Sequence, residues 1–158
     1  MNFQALEPMS YGREQVKAPP ELIHYATDSL LGVVFYLDSE DRQFYTNPDE
    51  IDLKRGFNCW QFGWYYEYLS GLVLPTYVWD AEKDFIPINK FDARWRDMVS
   101  YKERHGGNPI PHCGVMEDSE TMIHCSRTTG GVARANIHRP PWASSLTNLV
   151  VNRHKSLL

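Results

Sequence analysis

The sequence predicts an α+β domain, and three observations predict it: a well-capped helix after Asn58, a series of short β-rich runs from Met98 onward, and an ordinary globular composition. At 158 residues, 42% hydrophobic and 23% charged, the chain is one domain's worth, long enough to bury a core without disulfides or a structural metal. A net charge of −4 leaves no footprint for phosphate backbones, so nucleic acid is not an expected partner. No stretch is long and apolar enough to span a bilayer. The first residues, MNFQALEPMSYGREQV, lack a basic start followed by an apolar run, so ordinary export is not expected. Three cysteines, an odd count, fit free thiols in a reducing compartment.

The helix is read from GFNCWQFGWYYEYLSGLVLP. Asn58 is a good N-cap, and Phe62, Tyr65, Tyr66 and Leu69 share one face at i, i+3, i+4, i+7 spacing. Gly71 and Pro75 close the run, Gly by tolerating a left-handed turn and Pro by ending the ladder. Cys59 therefore opens a helix, where unpaired N–H groups and aligned peptide dipoles stabilise a thiolate. Most free cysteines are only small buried hydrophobes, so position alone does not make a nucleophile. A base is needed elsewhere.

Upstream, residues 1–18 read as a polar arm, and residues 19–158 as the folded domain. ELIHYATDSLLG reads as a helix carrying His24 and ending at Gly32, VVFYL as a short β-like run, and DSEDRQFYTNPDEIDLKRG as a polar connection. Downstream, residues 76–93 show no clear period, and DAEKD reads as a solvated loop. Around FDARWRDMVSY a helix competes with a turn at Arg96-Asp97 followed by a strand, and the strand is preferred because KERHGGNPIP reads as a loop dividing two strands. HCGVM and TMIHC read as a hairpin, VARANI as a further strand, and LTNLVV, after the break at RPPW, as a last strand or short helix.

That hairpin carries His112 and His124. A three-residue loop at Glu117-Asp118-Ser119 would set the two histidines directly opposite, Cβ atoms about 5 Å apart on one face. A two-residue loop at Asp118-Ser119 would throw them onto opposite faces. The acidic, Gly-free loop favours the longer option. Cys113 and Cys125 lie one step beyond each histidine and should point the other way, which with the lack of CxxC or HxxxH spacing argues against a metal site. A helix-borne cysteine, a strand-borne histidine and a polar group behind that histidine form the set a cysteine peptidase requires.

These segments together resemble the NlpC-type cell-wall cysteine peptidases, a papain-like family with a DCSGLV-like helix start ending in Gly and Leu-Pro, a Gly-Asp-Leu-Val strand, HVGIY, and HAS followed by a Gly-Val strand. NCWQFGWYYEYLSGLVLP, RDMVSY, HCGVM and MIHCSRTTGGV stand here in that order, over roughly residues 20–150. The resemblance implies a papain-like fold, N-terminal helices packed on a small antiparallel sheet, with Cys59 as nucleophile, His112 as general base, His124 as the orienting third residue, and no cofactor. A supporting tyrosine would be Tyr36 or Tyr45. The chain departs from the pattern with Asn58 for Asp, Trp60-Gln61 for Ser-Gly, and Arg96 for Gly. The implied reaction is hydrolysis of the amide between D-γ-glutamate and the diamino acid of the peptidoglycan stem peptide. Within the family the chain is most similar to the lambda tail protein K-like branch of tailed phages, which implies a place at the virion tail tip among tail-tip and hub proteins, after synthesis in the host cytoplasm. Two other readings are a catalytically inactive structural component of the tail tip, favoured by the altered residues beside Cys59, and an amidase of the CHAP type. In the latter the third residue is usually acidic or Asn, and His124 argues against it.

Overall fold

A computed structural model describes residues 28, 30–36, 45–105 and 108–158. The arm at 1–18, His24 and most of the helix expected before Gly32 lie outside the described residues.

Helix α1 (Cys59–Leu69) is the hub, and its ends obey the sequence rules closely. Asn58 Oδ1 accepts from Gln61 N at 2.8 Å while Gln61 Oε1 accepts from Asn58 N at 3.3 Å, a reciprocal capping box. Gln61, one of the departures from the family pattern, thus secures the first turn. At the other end Gly71, at φ 88°, takes the left-handed step: Leu72 N donates to Glu67 O and Gly71 N to Tyr68 O, a Schellman closure. A one-turn helix α2 (Val78–Ala81) follows, in a stretch whose sequence shows no clear period, and it takes in the first two residues of the DAEKD run read as a loop.

The sheet is six-stranded and antiparallel: β1 (Phe85–Ile88), β2 (Met98–His105), β3 (Asn108–Met116), β4 (Thr121–Ser126), β5 (Gly131–Asn136) and β6 (Val150–His154), in the order β1-β6-β2-β3-β4-β5. Strand β1 was not foreseen. Its Pro87 suits an edge strand, which is where β1 lies. KERHGGNPIP does not divide two strands by a long loop: β2 and β3 stay paired as far as His105 and Asn108. Pro109 and Pro111 are tolerated because β4 pairs with β3 only over Gly114–Met116, so no ladder is needed on that side. Of the expected run at 33–37, Val34 and Phe35 make single bridges, to Gly131 and Phe57.

Alternation divides the sheet into two faces. One, with Met98, Val115, Ile123, Cys125 and Val132, packs under the aromatic flank of α1. Gly63 permits this approach, since a Cβ there would come 2.9 Å from the Met98 Cε. The other face, with Val99, Tyr101, Met116, Met122 and Val151, is covered by Ile137, Trp142 and Leu149. The turn before β2 is held by Arg96 at φ 76°, a left-handed conformation that ordinarily favours Gly. Its buried guanidinium lies beside buried Glu67 of α1, with Nε 3.5 Å from Oε2.

Candidate active site

Cys59 occupies the first position of α1, half-buried. Residues before it fix its place: Phe57 is wholly buried, its carbonyl facing the Cys125 thiol at 3.5 Å and accepting from Tyr36 N at 2.7 Å. Tyr45 braces the approaching loop, its hydroxyl within 3.0 Å of Asp52 O and Gly56 O. Tyr36 is exposed, with the Arg55 guanidinium over its ring.

Two groups on β3 engage the sulfur. The Cys113 thiol hydrogen-bonds it and holds the Cys59 thiol well below its ordinary range, against the opposing effect of burial; a hydrogen bond and charge attraction from His112 add to the lowering. The Cys113 thiol is pushed up in turn, first by that hydrogen bond and then by burial. Alternation led us to expect Cys113 and His112 to serve opposite faces, yet both meet Cys59. The β3–β4 ladder ends at Gly114, so His112 lies beyond its paired stretch.

Burial by itself would lower the pKa of His112, but the hydrogen bond and charge of Cys59, followed by the charge of Glu103, outweigh it and raise it. His112 is nearly buried, its ring stacked on Tyr101 at 5.9 Å and tilted against Phe35 at 6.3 Å. Its Nε2 lies 3.4 Å from Oε2 of Glu103, a residue of β2 that accepts a further hydrogen bond from Thr128 Oγ1 at 3.1 Å. A lowered thiol, a raised imidazole and a carboxylate behind it are the parts of a thiolate–imidazolium pair.

His124 stands elsewhere, and this corrects the expected register. Gly114, not His112, is its partner on β3. The loop has three residues, but they are Asp118-Ser119-Glu120, because Glu117 N pairs with Thr121 O and Asp118 Oδ1 accepts from the N–H groups of Glu120 and Thr121 at 2.8 and 2.6 Å. The histidines keep a common face but are offset diagonally, about 7 Å by strand geometry. His124 is wholly buried, with Nδ1 3.0 Å from the Tyr101 hydroxyl and its ring edge-on to Trp142. Burial lowers its pKa to about 4, so it is neutral at physiological pH. Sequence reading missed Glu103 altogether. The signal available was its place two residues after Tyr101 on the strand beside HCGVM, opposite Ile110 and so diagonal to His112.

Among the described residues no group of three or more His, Cys, Asp or Glu side chains is placed to hold a metal ion.

No protein-family model and no curated protein sequence matches the chain. Solved structures do. The chain is similar to an NlpC/P60 family protein from Bacillus cereus at TM-score 0.62 and 14% identity, over 90% of this chain and 42% of that one. It is also similar to a protein from Staphylococcus aureus described as similar to lipoprotein, NLP/P60 family, at TM-score 0.55 and 12% identity, over 92% of this chain and 45% of the other. The chain thus spans less than half the length of either neighbour. At such identities the likeness is one of fold, and the α+β architecture, helices packed on an antiparallel sheet, is the fold of NlpC/P60 proteins.

Proposed function

We propose that the chain is an NlpC-type cysteine peptidase acting on peptidoglycan stem peptides at the amide between D-γ-glutamate and the diamino acid. The observation that carries this reading is the Cys59 thiol at a helix start, lowered by contact with Cys113 and His112, with His112 backed by Glu103. The Cys59 thiolate attacks the carbonyl carbon and N–H groups of the first turn of α1 hold the oxyanion. His112 gives its proton to the leaving amine, then takes one from the water that cleaves the thioester. Glu103, in the place expected of His124, steadies the imidazolium. On the sequence resemblance alone we place this activity at the tail tip of a phage virion.

One observation favours a second reading. An acidic third group is what the CHAP-type amidases usually carry, so Glu103 removes the argument that His124 raised against an N-acetylmuramoyl-L-alanine amidase. Incubation with muropeptides followed by mass spectrometry decides: scission after glutamate supports the endopeptidase, and release of the whole stem from the sugar supports the amidase. No product from wild type, with unchanged phage infectivity for Cys59→Ala, would leave a structural tail-tip component.

A further inference from the structure

A cleft of about 260 Å³ opens beside the nucleophile. Trp60, the next residue after Cys59, and Cys113, which touches its sulfur, line it with Val78, Ala81, Phe85 and Met98. Drug-sized ligand pockets begin near ~300 Å³, so this space suits one side chain rather than a whole muropeptide. Its polar groups have a definite sense. The Trp60 indole N–H is committed to Thr76 O at 2.8 Å, and the Asn152 amide nitrogen to Ser100 Oγ, Val150 O and Met98 O at 3.2 to 3.4 Å. The side-chain N–H donors of the lining are therefore already used, and no Lys, Arg or His is among the lining residues. The one charged group there is the exposed carboxylate of Glu82. An apolar wall ending in a carboxylate complements an aliphatic chain that ends in an ammonium, and it opposes one that ends in a carboxylate.

We propose that this cleft receives the side chain of the substrate residue flanking the scissile amide and selects a lysine-like diamino acid over one, such as diaminopimelate, that carries a terminal carboxylate. The assignment rests on the peptidase reading and narrows it.

Binding and cleavage separate the two. Calorimetry uses Cys59→Ala with three peptides, L-Ala-γ-D-Glu-L-Lys, its Nε-acetyl form and its meso-diaminopimelate counterpart. The free lysyl peptide binds about tenfold more tightly than the other two, and adding Glu82→Gln shrinks that advantage about two- to fivefold, the scale of an exposed ion pair. Equal affinities, no measurable binding of any peptide, or an advantage untouched by Glu82→Gln would overturn the assignment. Wild type is assayed in parallel. If it cleaves none while Cys59→Ala keeps the ranking, the cleft assignment stands and the peptidase reading falls; equal cleavage of both diamino-acid peptides has the opposite meaning.

Discussion

The division of labour between two histidines is decided by what stands behind each ring. His112 has a thiol before it and a carboxylate 3.4 Å behind it, so its charged form is favoured despite burial. His124 has the Tyr101 phenol and the Trp142 ring against it, which solvate no charge. Substituting Glu103→Gln should therefore lower the pH at which His112 titrates, read by NMR of its ring protons, and slow hydrolysis about 10- to 100-fold through lost orientation. His124→Gln should leave that titration in place. Cys113→Ala tests the other partner: since the Cys113 hydrogen bond is the largest cause of the lowered Cys59 thiol, the acid limb of its alkylation rate should move to higher pH. A limb unchanged in Cys113→Ala and moved only in His112→Ala would assign the activation to the imidazole alone.

At the scale of elements, the helix was legible and the hairpin register was not. Asn58, Gly71 and the spacing of Phe62, Tyr65, Tyr66 and Leu69 are local signals, and α1 begins and ends where they say. The register around Asp118 depends on which backbone N–H groups one carboxylate takes, a choice between neighbouring loops that sequence pattern does not resolve. That choice moved the partner of His124 two residues along β3, from His112 to Gly114, and Glu103, which lies on a third strand, could not be assigned before β2 was paired. The β1 strand was hidden for a related reason: four residues with one proline carry no period, and its ladder with β6 joins segments over 60 residues apart. The cap itself is testable. Asn58→Ala removes the Oδ1 acceptor and leaves Gln61 N unpaired, which should cost about 1 kcal/mol in urea unfolding. Because Cys59 is the next residue, the acid limb of its alkylation rate should also move to higher pH, whereas a change at exposed Leu146 should leave that limb in place.

Across the whole molecule, two buried groups set opposing pH dependences. Glu67, beside Arg96 and near Asp97, is raised to about 8 because burial outweighs the guanidinium. His124, facing Tyr101, Trp142, Glu103 and His112, is lowered to about 4 by burial. From pH 4.5 to 6.5 the unfolded chain has gained a proton on His124 and lost one on Glu67 relative to the folded state, so their contributions to the slope cancel. Between 6.5 and 8 the Glu67 contribution stands without that of His124: the folded state holds the extra proton, and this contribution to stability falls by about 2 kcal/mol as pH rises, while those of the lowered Cys59 and the raised His112 oppose each other. Glu67→Gln mimics the protonated acid, so it should match wild type near pH 4, be about 2 kcal/mol more stable near pH 6, where the unfolded wild-type carboxyl has already ionised, and lack the alkaline fall. The same substitution uncovers His124, and stability should then rise by about 3 kcal/mol from pH 4 to 6.5 relative to wild type's flatter profile. Urea midpoints at pH 4.5, 6.5 and 8.5 for both proteins read this directly, since all other titrating groups cancel in the difference. Parallel profiles would mean that Glu67 stays ionised against Arg96, and that the pair under α1 is an ion pair in the folded state.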